Sequence, residues 1–271
     1  MITNLIANAR MYSVAPGAVA AWKRLFVWLE AKSGIGLTVI DHAYPAPLDA
    51  LWGREDLACT FMCGWPHLRR GGKNPMVAAP IPSAAYAKGK AVYCSHFVAR
   101  KDSGLNSVAD CLGKRMGYTI HDSHSGYNAP RHHLLRYRKG DAPLFAEAVG
   151  PLMTPRLVLE ALNQGKIDVG PLDSFAFALL DRHAPELTRD LKIIESTDTV
   201  PIPAFVAAPG ADPAIVERLA AALVSLADDP AQKDLMAELC ILGFARATPD
   251  AYRITEDWAQ EAEKAGYAVI A

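Results

Sequence analysis

Residues 115–127 read RMGYTIHDSHSGY, and this segment carries the clearest indication of the fold. Its apolar part, Arg115–Ile120, predicts a β-strand, and a helix is predicted to begin near Pro130. The mostly polar residues Asp122–Tyr127 lie between the two. Ligands bind at the carboxyl ends of strands in open α/β sheets. The segment therefore predicts a strand, a ligand-binding turn and a helix, in that order.

The turn has the chemistry of an anion site. Ser123 and Ser125 can donate hydrogen bonds, and Gly126 lets the backbone approach a ligand closely. The start of the following helix supplies N–H groups and a partial positive charge. These features favour a phosphate-like group held without a lysine. The alternative is a plain helix cap, because Ser and Asp are favoured at that position.

Strand-like and helix-like stretches alternate along the rest of the chain, which predicts an α/β architecture with mostly parallel sheets. The main predicted strands are 37–40, 57–63, 77–81, 91–98, 115–120, 167–170, 192–195 and 204–208. The predicted helices are 16–32, 45–52, 130–137, 155–164, 174–181, 213–227, 231–242 and 255–264.

Two further turns follow predicted strands. In Asp168–Ser174, a strand ends in polar residues before a helix, and Asp173 can accept hydrogen bonds from a ligand or can cap that helix. In Thr60–Pro66, Gly64 and Pro66 force a turn. The aromatic residues of this second turn belong either to the wall of a cleft or to the core, and the core is the commoner place.

Length, composition and charge limit the possible classes of protein. The chain has 271 residues, of which 51% are hydrophobic and 21% charged, enough for one large domain or two lobes. Its net charge of −1 gives no electrostatic reason to expect nucleic acid as a partner. The start of the chain, Met1–Met11, lacks the features of a secretory signal. We therefore expect a periplasmic protein if a leader was removed and a cytoplasmic protein otherwise.

The cysteines and histidines predict no metal site. The five cysteines show no CxxC spacing, and they are interpreted as small buried hydrophobic residues. His121 and His124 are three residues apart in a strand–turn segment, which differs from the helical HExxH arrangement. His132 and His133 lie nearby and supply no defined ligand geometry. We expect neither a metal nor a cofactor.

Common enzyme signatures are missing from the sequence. It contains no GxGxxG, GxxxxGK[ST] or GxSxG motif. Asp122, Ser123 and His124 are consecutive, so their side chains diverge and cannot form a catalytic triad with one another. The sequence therefore predicts a binding protein and no enzyme.

Four ordered stretches resemble the phosphate/phosphite/phosphonate-type substrate-binding proteins of ABC transporters. This resemblance implies an α/β periplasmic-binding-protein fold of type II, with two lobes and a ligand cleft between them. Lobe 1 is expected to comprise residues 1–95 and 200–271, and lobe 2 residues 96–199. The four stretches are Thr60–Pro66 (TFMCGWP), Tyr93–Arg100 with Ser103–Lys114 (YCSHFVAR and SGLNSVADCLGK), Ser123–Gly126 (SHSG) and Glu160–Ser174 (EALNQGKIDVGPLDS).

The resemblance also implies a ligand, a partner and a set of binding residues. The ligand is a small oxyanion such as phosphonate, phosphite or phosphate, captured by lobe closure. The partner is a membrane permease, and we expect a monomer. Relatives often carry a Ser-His pair where this chain has Thr154-Pro155-Arg156, so Thr154 or Arg156 is expected to replace it. The expected ligand-binding residues are Tyr12, Phe61, Tyr93, Ser123, His124, Ser125, Gly126, Thr154 and Asp173.

Two rival functions stay open at this point. One is an enzyme on the same fold, of the type that makes a cofactor precursor, for which His124 and Cys63 are the candidate reactive residues. The other is a cytoplasmic ligand sensor, which the apparent lack of a leader favours.

Overall fold

The computed structural model describes residues 4–271, and the chain forms two compact units. Unit 1 contains the residues up to Val92 together with Pro201–Tyr252. Unit 2 contains Tyr93–Val200 and Arg253–Ala271. The chain therefore passes between the units three times. The strand-like start predicted for Met1–Met11 includes residues 1–3, which lie outside the described residues.

The strands and helices alternate along the described residues. The strands are β1 (Leu5–Asn8), β2 (Leu37–Val39), β3 (Leu57–Met62), β4 (Met76–Pro82), β5 (Val92–Tyr93), β6 (Ser95–Arg100), β7 (Arg115–Gly117), β8 (Glu147–Val149), β9 (Val169–Asp173), β10 (Leu191–Ser196), β11 (Val200–Pro201), β12 (Ala204–Val206) and β13 (Ile241–Ala245). The α-helices are α1 (Pro16–Ser33), α2 (Leu48–Trp52), α3 (Gly64–Arg69), α4 (Ala129–Leu134), α5 (Pro155–Asn163), α6 (Ser174–His183), α7 (Pro213–Val224), α8 (Lys233–Glu238) and α9 (Arg253–Lys264). Among these helices, none is both long enough and apolar enough to cross a membrane.

Each unit is built on one mixed sheet. In unit 1 the strand order is β13-β4-β12-β3-β1-β2, and β12 runs antiparallel to both of its neighbours. In unit 2 the order is β10-β6-β9-β7-β8, and β6 runs antiparallel to both of its neighbours. Four of the other pairs, β1–β2, β1–β3, β7–β8 and β7–β9, are parallel.

The prediction of mostly parallel sheets was wrong in this respect. The antiparallel strand inside each sheet is the first strand that lies wholly within its unit after the chain has entered from the other one, β6 in unit 2 and β12 in unit 1. Each of these strands starts at the edge where the parallel strands of its sheet end. It therefore runs against the direction set by the strand–helix–strand crossovers. At the edge of unit 1, β13 is also antiparallel to β4.

The core of unit 1 is a cluster of aromatic rings between α1 and the sheet. The rings of Phe61 and Phe205 are stacked with centroids 3.9 Å apart. Tyr12 and Trp22 meet Phe61 edge-on at 4.8 and 5.1 Å. The sequence favours α1 because Pro16 occupies its first turn and Gly34, at φ 65°, ends it in a left-handed conformation.

The C-terminal segment departs from the predicted lobe division. Residues 253–271 were assigned to lobe 1, and in the structure they belong to unit 2. The physical reason is a set of contacts with the helix that follows the predicted anion turn. Trp258 stacks on His132 at 4.8 Å, Asn128 donates to the carbonyl of Thr255 at 2.7 Å, and Arg131 donates to that of Ala268 at 2.6 Å.

One predicted helix is shorter than expected. The helix predicted for 231–242 is a 3-10 turn followed by α8, and the chain then turns at Cys240, whose φ is 54°. Strand β13 begins at Ile241. The apolar residues near 240 fit a helix face and a buried strand equally well, so hydrophobic spacing alone did not separate the two.

Candidate functional site

Three helices begin at one edge of the unit 2 sheet. Strand β7 is parallel to both of its neighbours, β9 and β8. The carboxyl ends of these three strands therefore lie on the same side of the sheet. The chain turns after each of them and starts a helix, at His124, Ser174 and Pro155 respectively. Helix N-termini carry N–H groups and partial positive charge. This edge is therefore suited to an anion.

The turn after β7 begins with a short π-helix, His124–Asn128, which runs directly into α4. Ser123 caps it, because its Oγ accepts a hydrogen bond from the N–H of Gly126 at 2.9 Å. A β-carbon at position 126 would lie 1.8 Å from Oγ1 of Thr119, so glycine is required there. The N–H of Thr119 in turn donates to the carbonyl of Gly126 at 3.3 Å.

A buried polar network links this turn to the two central strands. Ser95 lies opposite Asp173 in the β6–β9 pairing, and its hydroxyl donates to the carbonyl of Ser125 at 2.7 Å. The hydroxyl of Ser125 lies 3.4 Å from Oδ2 of Asp173. Thr197 fixes Ser95 by accepting from its N–H at 3.0 Å and donating to its carbonyl at 2.9 Å. The structure thus brings Ser125 and Asp173 together.

Asp173 has two roles in this geometry. Its Oδ1 accepts hydrogen bonds from the N–H groups of Phe175 and Ala176, both at 2.9 Å, so it caps α6. Its Oδ2 is the oxygen near Ser125. The sequence left capping and ligand binding open as alternatives, and one carboxylate can do both because each uses a different oxygen.

Thr154 caps the third helix. Its Oγ1 accepts from the N–H of Leu157 at 3.2 Å, at the start of α5. Arg156 donates to Glu160 at 2.9 Å across one turn of the same helix, and both of these side chains are partly exposed. Of the two residues offered as replacements for a Ser-His pair, Thr154 is the one bonded at the helix start.

His124 is buried and neutral. Burial lowers its pKa to about 3, with a smaller effect from His132. Asn128 donates to Nδ1 at 3.1 Å, which leaves the proton on Nε2. The ring lies 5.7 Å from the stacked ring of Trp258 in α9. Within the described part of the chain, Nε2 has no hydrogen-bond partner.

The three predicted aromatic ligand residues are all buried. Tyr93 belongs to unit 2, where its ring is 6.2 Å from that of His124. Tyr12 and Phe61 belong to the aromatic core of unit 1, with 1% and 0% of their surface exposed. Core packing accounts for the burial of Tyr12 and Phe61 without a ligand. The ligand-binding role of these residues stays a prediction.

Sequence reasoning missed Ser95 and Thr197. Both hydroxyl residues orient the predicted turn through hydrogen bonds across the sheet. Ser95 lies within the stretch YCSHFVAR that carried the family resemblance, and this was the available signal. An isolated hydroxyl in a buried strand has no pattern of its own, so only the register of β6 against β9 reveals its position.

A cysteine–histidine pair close to Ser95 also went unnoticed. Sγ of Cys94 lies 3.7 Å from Nδ1 of His96, which is 2.8 Å from the hydroxyl of Ser196. Burial raises the pKa of the Cys94 thiol to about 11 and lowers that of His96 to about 4. Both side chains are therefore neutral near pH 7, the wrong state for a nucleophilic thiolate.

The other reactive candidates do not form a pair within one unit. Cys63 precedes α3 in unit 1, whereas His124 belongs to unit 2. Within residues 4–271, no group of three or more His, Cys, Asp or Glu side chains is placed to hold a metal ion.

Comparison with known proteins agrees with this geometry. The profile of one family, described as "ABC transporter, phosphonate, periplasmic substrate-binding protein", matches residues 17–252. No curated protein sequence matches the chain significantly. The matched residues include all four stretches in full and most of the chain in both units, so the motif-based resemblance is confirmed.

Solved structures with the same fold support the predicted α/β periplasmic-binding-protein architecture. The binding protein component of an ABC phosphonate transporter from Pseudomonas aeruginosa is 16% identical, with a TM-score of 0.80 over 97% of this chain and 88% of that one. PhnD1 from Prochlorococcus marinus, in complex with methylphosphonate, is 16% identical, with a TM-score of 0.79 over 97% and 100%. XAC2383 from Xanthomonas citri, bound to chloride ion, is 18% identical, with a TM-score of 0.64 over 98% and 99%. The predicted α/β periplasmic-binding-protein fold is confirmed, with mixed sheets in place of the expected mostly parallel ones.

Proposed function

Since the chain belongs to the family of periplasmic substrate-binding proteins of phosphonate ABC transporters, we propose that it binds a small oxyanion of the phosphonate, phosphite or phosphate type. The observation that carries this proposal is the convergence of three helix N-termini at the carboxyl edge of β7, β8 and β9. Ser123, Ser125 and the N–H groups of His124 and Ser125 hold the oxyanion. PhnD1, solved with methylphosphonate, shares this fold.

Asp173 restricts the ionic form of the ligand. A carboxylate repels a fully ionised dianion but accepts a hydrogen bond from a protonated oxygen or an ammonium group. Oδ2 of Asp173 is the oxygen turned toward Ser125. A ligand held by Ser125 therefore places its protonated oxygen or ammonium group beside Oδ2. The site therefore selects a monoanion or an amine-bearing phosphonate over a bare dianion.

The ligand is captured by closure of the two units and delivered to a membrane permease. The protein acts as a monomer in the periplasm and catalyses no reaction. A closed state is favoured by the ligand only through contacts that the open state does not make. Scattering that shows compaction on addition of methylphosphonate, with no product formed over hours, is the expected result. Turnover of the ligand would replace this function by an enzymatic one.

The decisive test is calorimetric titration of methylphosphonate into Ser125→Ala. We expect binding to weaken by about 1–3 kcal/mol, because a ligand oxygen loses its donor. Ser103→Ala is a matched control, since its hydroxyl donates to the carbonyl of Arg100 at 2.6 Å, beyond the opposite end of β6. Unchanged affinity in Ser125→Ala, with affinity also unchanged in the control, would remove Ser125 from the binding site.

A further inference from the structure

The backbone of Met153 has an unusual conformation. Three residues other than glycine among residues 4–271 have a positive φ, namely Lys88, Met153 and Cys240. Met153, at φ 66°, is the one that lies at the candidate site, one residue before the cap of α5. A left-handed backbone is unfavourable for a residue with a long side chain, and such outliers are concentrated at functional positions.

Hydrogen bonds tie Met153 to the anion turn. Its N–H donates to the carbonyl of Thr119 at 3.1 Å, and the N–H of Thr119 donates to the carbonyl of Gly126 at 3.3 Å. The neighbouring Thr154 is fixed by its bond to Leu157. The surroundings therefore determine the backbone at position 153, although a glycine would meet the same requirement at lower cost.

The Met153 side chain does not serve the core of unit 2. It is 39% exposed, whereas the adjacent Leu152 approaches Gly117 and so points into the sheet. A thioether is apolar, flexible and polarisable, so it adapts to small apolar groups of different shape. An exposed apolar side chain beside an otherwise polar anion site complements a ligand that carries carbon next to its oxyanion.

We propose that Met153 is a specificity-determining residue that contacts the carbon substituent of an alkylphosphonate. The inference rests on the proposed oxyanion function and assigns to this one residue the discrimination between ligands with and without a carbon substituent on phosphorus. Phosphite differs from methylphosphonate by a hydrogen in place of the methyl group. A contact with Met153 therefore favours methylphosphonate over phosphite, and ethylphosphonate more strongly.

The test is titration of phosphite, methylphosphonate and ethylphosphonate into the wild type, Met153→Gly and Met153→Gln. We expect ethylphosphonate binding to weaken about tenfold in both variants, methylphosphonate binding to weaken less, and phosphite affinity to change less than about twofold. Lys88→Gly is the matched control, because it also places glycine at a position with a positive φ, here 49°, but in unit 1. Both glycine variants should raise the melting temperature, and Lys88→Gly should leave all three affinities unchanged.

The outcomes separate this inference from the proposed function. Equal weakening of all three anions in the Met153 variants would show that Met153 supports the turn and does not contact carbon, which overturns the inference alone. Phosphite binding to the wild type as tightly as ethylphosphonate would also overturn it. Failure of the wild type to bind any of the three anions would overturn the oxyanion function and this inference together.

Discussion

The aromatic core of unit 1 and the carboxyl edge of the unit 2 sheet are buried regions of different chemistry. In unit 1 the rings of Tyr12, Trp22, Phe61 and Phe205 fill the space between helix and sheet. In unit 2 the carboxyl edge of the sheet is lined by small polar side chains joined by hydrogen bonds. These are Ser95, Ser123, Ser125, Asp173, Ser174 and Thr197.

The difference indicates which unit carries the binding chemistry. Aromatic packing contributes stability through buried area and offers few hydrogen-bond donors. A network of hydroxyls and helix starts contributes little net stability, but it orients donors toward a charged group. We therefore expect substitutions in the unit 1 core to change mainly the free energy of unfolding, and substitutions at the unit 2 edge to change mainly affinity.

The largest expected effect is that of Phe61→Ala. The ring is fully buried against Phe205, Tyr12 and Trp22, so its loss should lower the free energy of unfolding by about 3–5 kcal/mol. Urea unfolding followed by tryptophan fluorescence measures this, and Val27→Ala, at a side chain that is 67% exposed, is the control. A large loss of phosphonate affinity in a folded Phe61→Ala protein would instead support the predicted ligand contact.

The second prediction concerns pH and unit 2. Burial lowers the pKa of His96 to about 4 and of His124 to about 3, so both are neutral in the folded protein while the unfolded chain protonates them below about pH 6.5. Stability is therefore complete above pH 6.5 and decreases as pH falls toward 4. Each histidine contributes about 1.4 kcal/mol per pH unit at most.

Urea titrations at several pH values between 7 and 4 measure this slope. The double variant His96→Gln, His124→Asn should show a shallower dependence than the wild type, by up to two protons. An identical slope in the two proteins would mean that these histidines do not govern the acid sensitivity.

The third prediction compares two glycines, one in each unit. A β-carbon at Gly64 would lie 2.2 Å from the ring of Tyr252, and one at Gly126 would lie 1.8 Å from Thr119. Overpacking of this kind costs about 1–3 kcal/mol. We expect both Gly→Ala variants to lose comparable stability, whereas only Gly126→Ala should weaken methylphosphonate binding in calorimetry at a temperature where both are folded. Equal loss of affinity would mean that the two units contribute alike to the site.

The features that the sequence predicted correctly are those set by residues close together in the chain. The helix α1 and the turn after β7 were predicted because their signals are local, as with Pro16, Gly34 and the run Ser123–Gly126. Ser125 and Asp173 were both expected to bind the ligand, since each follows a predicted strand and ligands bind at the carboxyl ends of strands. Both are found together there.

Other features depend on contacts between distant parts of the chain. The amphipathic pattern of α9 shows that one face is buried, but the pattern is equally compatible with packing on either unit. Only the fit of Trp258 against His124 and His132 places it on unit 2. The antiparallel insertion of β6 and β12 likewise follows from the path of the chain between units, and no local pattern encodes that path.

The smallest expected effect concerns one carboxylate–guanidinium pair in each unit. In unit 1, Glu217 and Arg246 are both more than half exposed, and side-chain entropy and solvent screening offset their attraction. In unit 2, Asp168 accepts hydrogen bonds from the guanidinium of Arg115 at 2.8 and 3.0 Å and from the backbone N–H of Arg115 at 2.9 Å. These bonds join the turn before β9 to the start of β7.

Asp168→Asn should therefore lower the free energy of unfolding by about 1 kcal/mol, whereas Glu217→Gln should leave the urea midpoint unchanged. Because the Asp168 pKa is lowered by Arg115, the difference should persist at neutral pH and disappear in acid, as the carboxylate becomes protonated. Urea titrations of the two variants at neutral and acidic pH measure it, and a larger loss for Glu217→Gln would contradict the expectation that the backbone hydrogen bond makes the unit 2 pair the stronger one.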